Sequence, residues 1–162
     1  MHITFRDYKK EDITLLKDIW NDILIDGVAF PGEDHYEEKE FENMLEEQSA
    51  VTCILVDDEV AGYYILHPNN IGRCSHVANA SYAISKLYRG RKLADPLVKK
   101  SIEQARELGF RGMQFNAVVS GNSAAIHTYQ KAGFKTVGTI PEGFRLKSGV
   151  YSDMHIMYLH FS

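Results

Sequence analysis

A basic run and three asparagines carry the residue types and spacings from which chemistry could be built. Residues 86–100 include Lys86, Arg89, Arg91, Lys92, Lys99 and Lys100. The run begins just after a strand pattern that ends near Ile84 and leads into a helix pattern that starts near Leu93. A helix start offers unpaired amides and the positive end of a dipole, so a basic turn at that point is suited to an anion. A solvated basic helix start is the plainer meaning of the same residues. Asn79 and Asn116 fall inside two apolar segments, Val77 to Ile84 and Gly112 to Val119, and Asn122 follows the second. Val77 to Ile84 holds no Asp or Glu and so offers no carboxylate base. An amide can both accept and donate, and it is costly to bury on a central strand unless paired. Cys74, His76 and His155 are too few to make a metal-ligating set, so no metal is expected. His76 is either a proton relay or a satisfied structural histidine. The phosphate-cradling pattern of nucleotide enzymes, Gly-x4-Gly-Lys-Ser/Thr, is absent.

The elements that must position these residues follow from periodicity. Met1 to Asp7 alternates as a strand. In Glu11 to Ile25 the residues Ile13, Leu16, Ile19, Trp20, Ile23 and Leu24 recur at helical spacing, with Gly27 as the stop. A weaker, acidic helix is predicted for Tyr36 to Gln48, with Phe41, Met44 and Leu45 inward. Val51 to Val56 and Val60 to Leu66 flank Asp57-Asp58-Glu59 as a hairpin, and His67 to Ser75 reads as loop. Then come a strand Val77 to Ile84, a helix Leu93 to Leu108 and a strand Gly112 to Val119. A helix Ser123 to Ala132, a strand Phe134 to Ile140 and a strand Met154 to Phe161 complete the order. The predicted fold is α/β (α+β): one domain over residues 1–162, a mixed central sheet of about seven strands flanked by four helices.

The chain has 162 residues, 44% of them hydrophobic and 25% charged, which is the make-up of one soluble globular domain. Its net charge of −4 argues against nucleic acid as a partner. No apolar run approaches the ~20 residues of a membrane span. The first residues lack an apolar signal core, and the two cysteines read as free thiols, so a cytoplasmic location is expected.

Two stretches resemble the GNAT acetyltransferase superfamily. The turn Tyr88-Arg89-Gly90-Arg91-Lys92-Leu93-Ala94 is similar to the family's turn of Arg or Gln, two residues, Gly, one residue, then Gly or Ala. Arg89 and Ala94 fit it, whereas Lys92 stands where the family has its middle glycine, and Pro96 removes an amide from the first helical turn. The stretch from Asn122 through Ala125, Tyr129, Gly133 and Phe134 matches the family's second signature at all four of its elements. Together the two cover roughly residues 76–140.

The resemblance implies acetyl-CoA as co-substrate, bound by residues 76–162, with residues 1–75 on the acceptor side. It implies cofactor contacts from Ile84, Arg89, Gly90, Arg91, Lys92, Leu93, Ala94 and Asn122. Tyr129 would offer its hydroxyl to the departing thiolate. Asn122 is otherwise a helix cap, and Tyr129 otherwise a core residue.

A narrower likeness lies in Gly72 to Ala80 and Phe115 to Val119. These segments look like a microbial branch that acetylates L-azetidine-2-carboxylic acid, where the asparagines matching Asn79 and Asn116 lie by the acceptor. Amide formation needs an unprotonated amine beside an activated thioester, so such a site mainly positions reactants. An α-amino group near pKa ~8 is partly neutral at pH 7, while a lysine near ~10.4 rarely is. Neutral asparagines without a carboxylate therefore suit a less basic amine, or a proton that leaves through ordered water.

The expected function is transfer of an acetyl group to the amine of a small molecule, an amino acid or a relative. Arg73 and Arg145 are candidates for its carboxylate. Tyr36 and Phe30 are candidates for the pocket wall, and Trp20 reads as core. A peptide or protein acceptor, drawn by the acidic residues 33–47, is one alternative; a degenerate acyl-CoA-binding sensor or interaction domain is another. A homodimer is the expected assembly.

Overall fold

A computed structural model describes all 162 residues. In chain order the elements are β1 (Ile3–Asp7), α1 (Ile13–Asp26), α2 (Glu38–Glu46), β2 (Ala50–Val56), β3 (Glu59–Pro68) and β4 (Val77–Ile84). They continue with α3 (Ala94–Glu107), β5 (Gly112–Val119), α4 (Ser123–Lys131), β6 (Lys135–Arg145) and β7 (Tyr151–His160). Single 3-10 turns occupy Lys10–Asp12 and Gly72–Cys74. The strands form one seven-stranded sheet in the order β1-β2-β3-β4-β5-β7-β6. All neighbours are antiparallel except β4 and β5, which are parallel because α3 crosses between them.

Each face of the sheet has its own core. Ile13, Leu16, Ile19, Phe41 and Leu45 of α1 and α2 pack with Cys53, Tyr63, Ile65 and Ala83 on one face. Leu97, Val98 and Ala105 of α3 pack with Tyr64, Leu66, Met113, Phe115 and Phe134 on the other. Alternation along β3 decides the side, sending Tyr63 and Ile65 one way and Tyr64 and Leu66 the other. The buried tyrosines reach partners: Tyr63 donates to the Leu16 carbonyl at 2.9 Å, and Tyr64 donates to Gln104.

The predicted order of elements holds, and several boundaries shift. β3 runs through His67 to Pro68, so His67 belongs to the sheet and not to a loop. The acidic helix is confined to Glu38–Glu46. β6 continues past Pro141 and Gly143 to Arg145, and β7 begins at Tyr151. Pro141 and Gly143 look like breakers, but they fall on an edge strand at an irregularity of the β6–β7 ladder, where neither has a register partner. The ladder slips between Ile140 and Phe144, with Glu142 in the left-handed region at φ 52°. Leu108, the last residue of the predicted helix, lies past the end of α3 at Glu107 and is half exposed.

What the fold does for the site is to open the sheet. β4 and β5 pair only at Val77 with Gly112 and Ala78 with Met113. Beyond those residues the two strands separate, leaving the β5-facing edge of β4 from Asn79 onward without a strand partner.

Candidate active-site cleft

The cleft between β4 and β5 holds a cavity of about 580 Å³. Asn79, Ile84, Arg89, Ala94, Asn116, Asn122 and Tyr129 all line it, so seven of the eleven residues singled out by sequence meet in one place. Gly90, Arg91, Lys92 and Leu93 do not line it. Leu93 is only 2% exposed and packs into the α3-side core, so it has only main chain to offer a ligand. Arg91 lies over the Tyr88 ring at 5.1 Å. Gly90 and Lys92 both adopt left-handed backbone, at φ 81° and 60°. This explains why a glycine would suit position 92, where lysine carries a conformational cost.

The basic turn is tied to α1 by ion pairs. Arg89 reaches Asp26 at 3.1 Å and Lys86 reaches Asp22 at 3.7 Å. Arg89 is therefore a partly neutralised wall of the cleft. Asp95, which on its own would repel an anion at the start of α3, is paired with Lys131 at 2.6 Å. Pro96 occupies the first turn of α3, where its missing donor is one of the unpaired amides in any case.

Asn122 caps α4: its side-chain oxygen accepts from the Ala125 amide at 3.2 Å. The cap sets where α4 starts, and seven residues later Tyr129 arrives at the cleft wall. Its ring packs against Phe115 at 4.3 Å and lies 5.9 Å from Phe134 and 6.2 Å from Tyr82. No protein group accepts its hydroxyl proton. Burial pushes its phenol up to about 12, so the group stays a donor across the neutral range. Tyr82, also at the cleft, is satisfied by Ser101 at 2.7 Å and is held well above its ordinary value by burial.

Asn79 and Asn116 are brought together through a third asparagine that sequence reasoning passed over. Both donate to Asn69 Oδ1, at 3.0 and 2.6 Å, and Gln114 donates to Asn116 Oδ1 at 2.9 Å. The expectation of buried asparagines is corrected: Asn79 is half-buried and Asn116 is exposed, because the strands have parted at that level. Asn69 Oδ1 therefore takes one donor from each. Asn79 keeps a free acceptor oxygen.

On the α1–α2 side lies a second cavity of about 570 Å³, lined by Trp20, Phe30, Tyr36, Glu40, Met44, Gln48 and His67 among others. Phe30, Pro31 and Ser81 belong to both cavities and mark where they join. Trp20 is half-buried and forms wall as well as core, stacking against Phe30 at 4.4 Å. Arg145 is held by Glu33 at 2.5 Å and lines a different recess, and Arg73 is exposed and lines neither cavity. His76, Cys74 and His155 line neither cavity, and His155 shares a hydrogen bond with Thr139 at 2.9 Å. A β3 that stops at Leu66, as the sequence suggests, leaves His67 out of the site. Continuing the Tyr63, Ile65 alternation one step places it on the same face.

The residues of the cleft can do three things chemically. An open strand edge can pair with amides of a linear ligand, a helix start can hold an anion, and a free phenol can donate to a developing negative charge.

Known proteins resemble this chain over most of its length. A model of the Acetyltransferase (GNAT) family matches residues 14–134. The chain is 26% identical over 153 residues to the N-acetyltransferase aca1 of Schizosaccharomyces pombe, covering 83% of this chain and 73% of that protein. It is 30% identical over 108 residues to the L-amino acid N-acetyltransferase AaaT of Escherichia coli, covering 66% and 64%. A GCN5-related N-acetyltransferase from Kribbella flavida superimposes with a TM-score of 0.91 at 28% identity and 98% coverage of both chains. A phosphinothricin acetyltransferase from Sinorhizobium meliloti, solved with acetyl-CoA, shares the fold with a TM-score of 0.92 at 20% identity, covering 100% of this chain and 90% of that one.

Proposed function

This chain belongs to the acetyltransferase (GNAT) family, and from that premise we propose that it transfers an acetyl group from acetyl-CoA to the amine of a small molecule, an amino acid or a related amine. One observation carries the proposal: a single cleft gathers a free Tyr129 hydroxyl, the Asn79 and Asn116 amides, the Asn122 cap and the start of α3. The C-terminal half, residues 76–162, is the acyl-CoA side, and residues 1–75 supply the acceptor wall. The pantetheine arm runs along the unpaired edge of β4 toward Ile84, with Asn122 beside it. Its pyrophosphate meets the main chain of Arg89, Gly90, Arg91, Lys92, Leu93 and Ala94. Ala94, Ala117 and Ala125 line the cleft and leave room for a close approach.

The amine nitrogen attacks the thioester carbonyl carbon, the C–S bond breaks, and sulfur leaves with the electron pair. Tyr129 donates a hydrogen bond to that sulfur. With a phenol near 12 and a thiol ordinarily near ~8.5, outright proton transfer from tyrosine is uphill. Donation to the developing charge is thus its main contribution, and the proton that ends on sulfur is one the nitrogen gives up.

A small acceptor is supported by the aromatic cavity that Trp20, Phe30 and Tyr36 enclose. The likeness of Asn79 and Asn116 to the L-azetidine-2-carboxylic acid acetyltransferase branch supports an amino-acid-like acceptor, and so does the amino acid activity named for the E. coli relative. An exposed free Cys74 fits the reducing cytoplasm. Apolar Val137, Ile140 and Tyr151 stand exposed on the edge pair β6–β7 and support a homodimer, which sedimentation velocity reads out.

The test is acetyl-CoA turnover over panels of amino acids, amines and peptides, followed by thiol release. Small amines should lead. Asn79→Ala and Asn116→Ala, each checked for folding, should raise acceptor KM or lower kcat about tenfold while sparing acetyl-CoA binding. Preference for peptides would move the acceptor class to proteins. Failure to bind acetyl-CoA at millimolar concentration would leave a sensor or interaction domain.

A further inference from the structure

β4 offers no carboxylate, yet an ammonium must lose a proton before its nitrogen can attack. The group placed to take that proton is on the neighbouring strand. His67 pairs directly with Asn79 in the antiparallel register of β3 and β4, one pair beyond Leu66 and Ala80 and two beyond Ile65 and Ser81. It lies on the α1–α2 face, two residues beyond Ile65 of that core, and Asn79 and Ser81 alternate with Ala83 onto the same face. Directly opposed residues stand about 4.5–5.5 Å apart at Cβ. His67 also lines the aromatic cavity that joins the cleft at Ser81.

The tautomer is set by a chain of bonds. Gln48 Nε2 donates to the Met44 carbonyl at 3.0 Å, which turns its oxygen toward His67. Gln48 Oε1 lies 2.9 Å from His67 Nδ1. An amide oxygen only accepts, so Nδ1 carries the hydrogen and Nε2 is left with a lone pair. No protein group bonds to Nε2.

We propose that His67 Nε2 is the proton acceptor for the incoming amine, held in the competent tautomer by Gln48. The assignment rests on the acetyltransferase reading above. The ammonium gives one proton to Nε2, directly or through one water, and the freed nitrogen pair forms the N–C bond. As the C–S bond breaks, the second nitrogen proton passes to sulfur; a primary amine keeps its third on the amide, and a secondary amine keeps none. Burial draws the imidazole below its ordinary 6.5, so it is neutral and ready at physiological pH. The titratable groups that share its cavity are Glu33, Asp34, His35 and Tyr36 from the segment between α1 and α2, and Glu40 from α2.

The test compares wild type, His67→Gln and His67→Ala on the best small amine, with circular dichroism to check folding. Both variants should lose about 10²-fold or more in kcat/KM for the acceptor. KM for acetyl-CoA should change less than about twofold, the size of a cofactor contact left intact. The acidic limb of the wild-type pH profile should shift or vanish. Added imidazole should restore part of the activity of His67→Ala. An acceptor already neutral at pH 7, such as an arylamine, should be acetylated by the variants at close to the wild-type rate. Folded variants that match wild type at every pH overturn the role of His67 alone. If His67→Gln or His67→Ala does not fold, Gln48→Leu, which frees the tautomer, should still move the acidic limb, and an unmoved limb overturns the proposal. A wild-type protein that acetylates no amine overturns both this proposal and the reading it rests on.

Discussion

Tyr129 shows how one residue is shaped for a task by neighbours that do not react. Phe115 and Phe134 wall its ring, and the Asn122 cap fixes the helix that carries it. Its hydroxyl has no internal partner and burial keeps it protonated, so it is a donor waiting for an acceptor. Tyr129→Phe keeps the ring packing and removes only the donor. It should lower kcat about 10²-fold, the low end of general acid help, and leave acetyl-CoA affinity nearly unchanged by calorimetry. A Phe variant with wild-type turnover would make Tyr129 a packing residue. Because the phenol titrates near 12, loss of activity between pH 8 and 10 would have to come from another group.

At the scale of elements, the β2–β3 hairpin turns through Asp57 and Asp58, both in the left-handed region at φ 49° and 69°. Such a two-residue turn matches the twist of the strands but asks for residues that tolerate positive φ, which aspartate does less well than glycine. Asp57 earns its place by accepting from the His2 amide at 2.9 Å, whereas no side-chain bond holds Asp58. Asp58→Gly should relieve roughly 1–2 kcal/mol of backbone cost and give back about 0.5–1 in chain entropy. The net gain, at most about 1.5 kcal/mol and centred on about 0.8, should appear as a higher urea midpoint at unchanged slope. A lower midpoint would mean that the aspartate makes a contact worth more than its strain.

For the whole molecule, His67 and Asp12 supply two acid-labile contributions to stability, with a more exposed third from Asp95 beside Lys131. Burial holds His67 below its ordinary value, so its contribution is complete above about pH 6.5 and is lost as pH falls from there through the folded value. Asp12 is held low chiefly by its bond to Arg6, at 2.7 and 3.1 Å, and by the Lys9 amide at 2.7 Å. Its contribution is complete above about pH 3.9 and is lost as pH falls through its depressed value. Urea midpoints should be level above about pH 7 and fall in two steps below it. His67→Gln should remove the upper step, and Asp12→Asn should shrink the lower one, leaving the share of the Asp95–Lys131 pair. A midpoint that stays level down to pH 5 in wild type would contradict the burial of a neutral His67.

The order of elements and the fold class were legible in the sequence, because periodicity, caps and turn residues act over a few neighbours. Val77–Ile84 and Gly112–Val119 are strands as read, and Gly133 ends α4 with φ 107° as its type requires. Ends that depend on what lies alongside were not legible. Pro141 sits in a strand because β6 is an edge and bulges there, and His67 belongs to β3 because β4 is there to pair with it. The candidate site divides in the same way. Tyr129 and Asn122 are marked by spacing within one helix. The meeting of Asn69, Asn79 and Asn116 required three segments to converge, and the tautomer of His67 depends on Gln48 just beyond α2. Local chemistry chose the elements; the parting of β4 from β5, decided by the whole sheet, made a cleft of them.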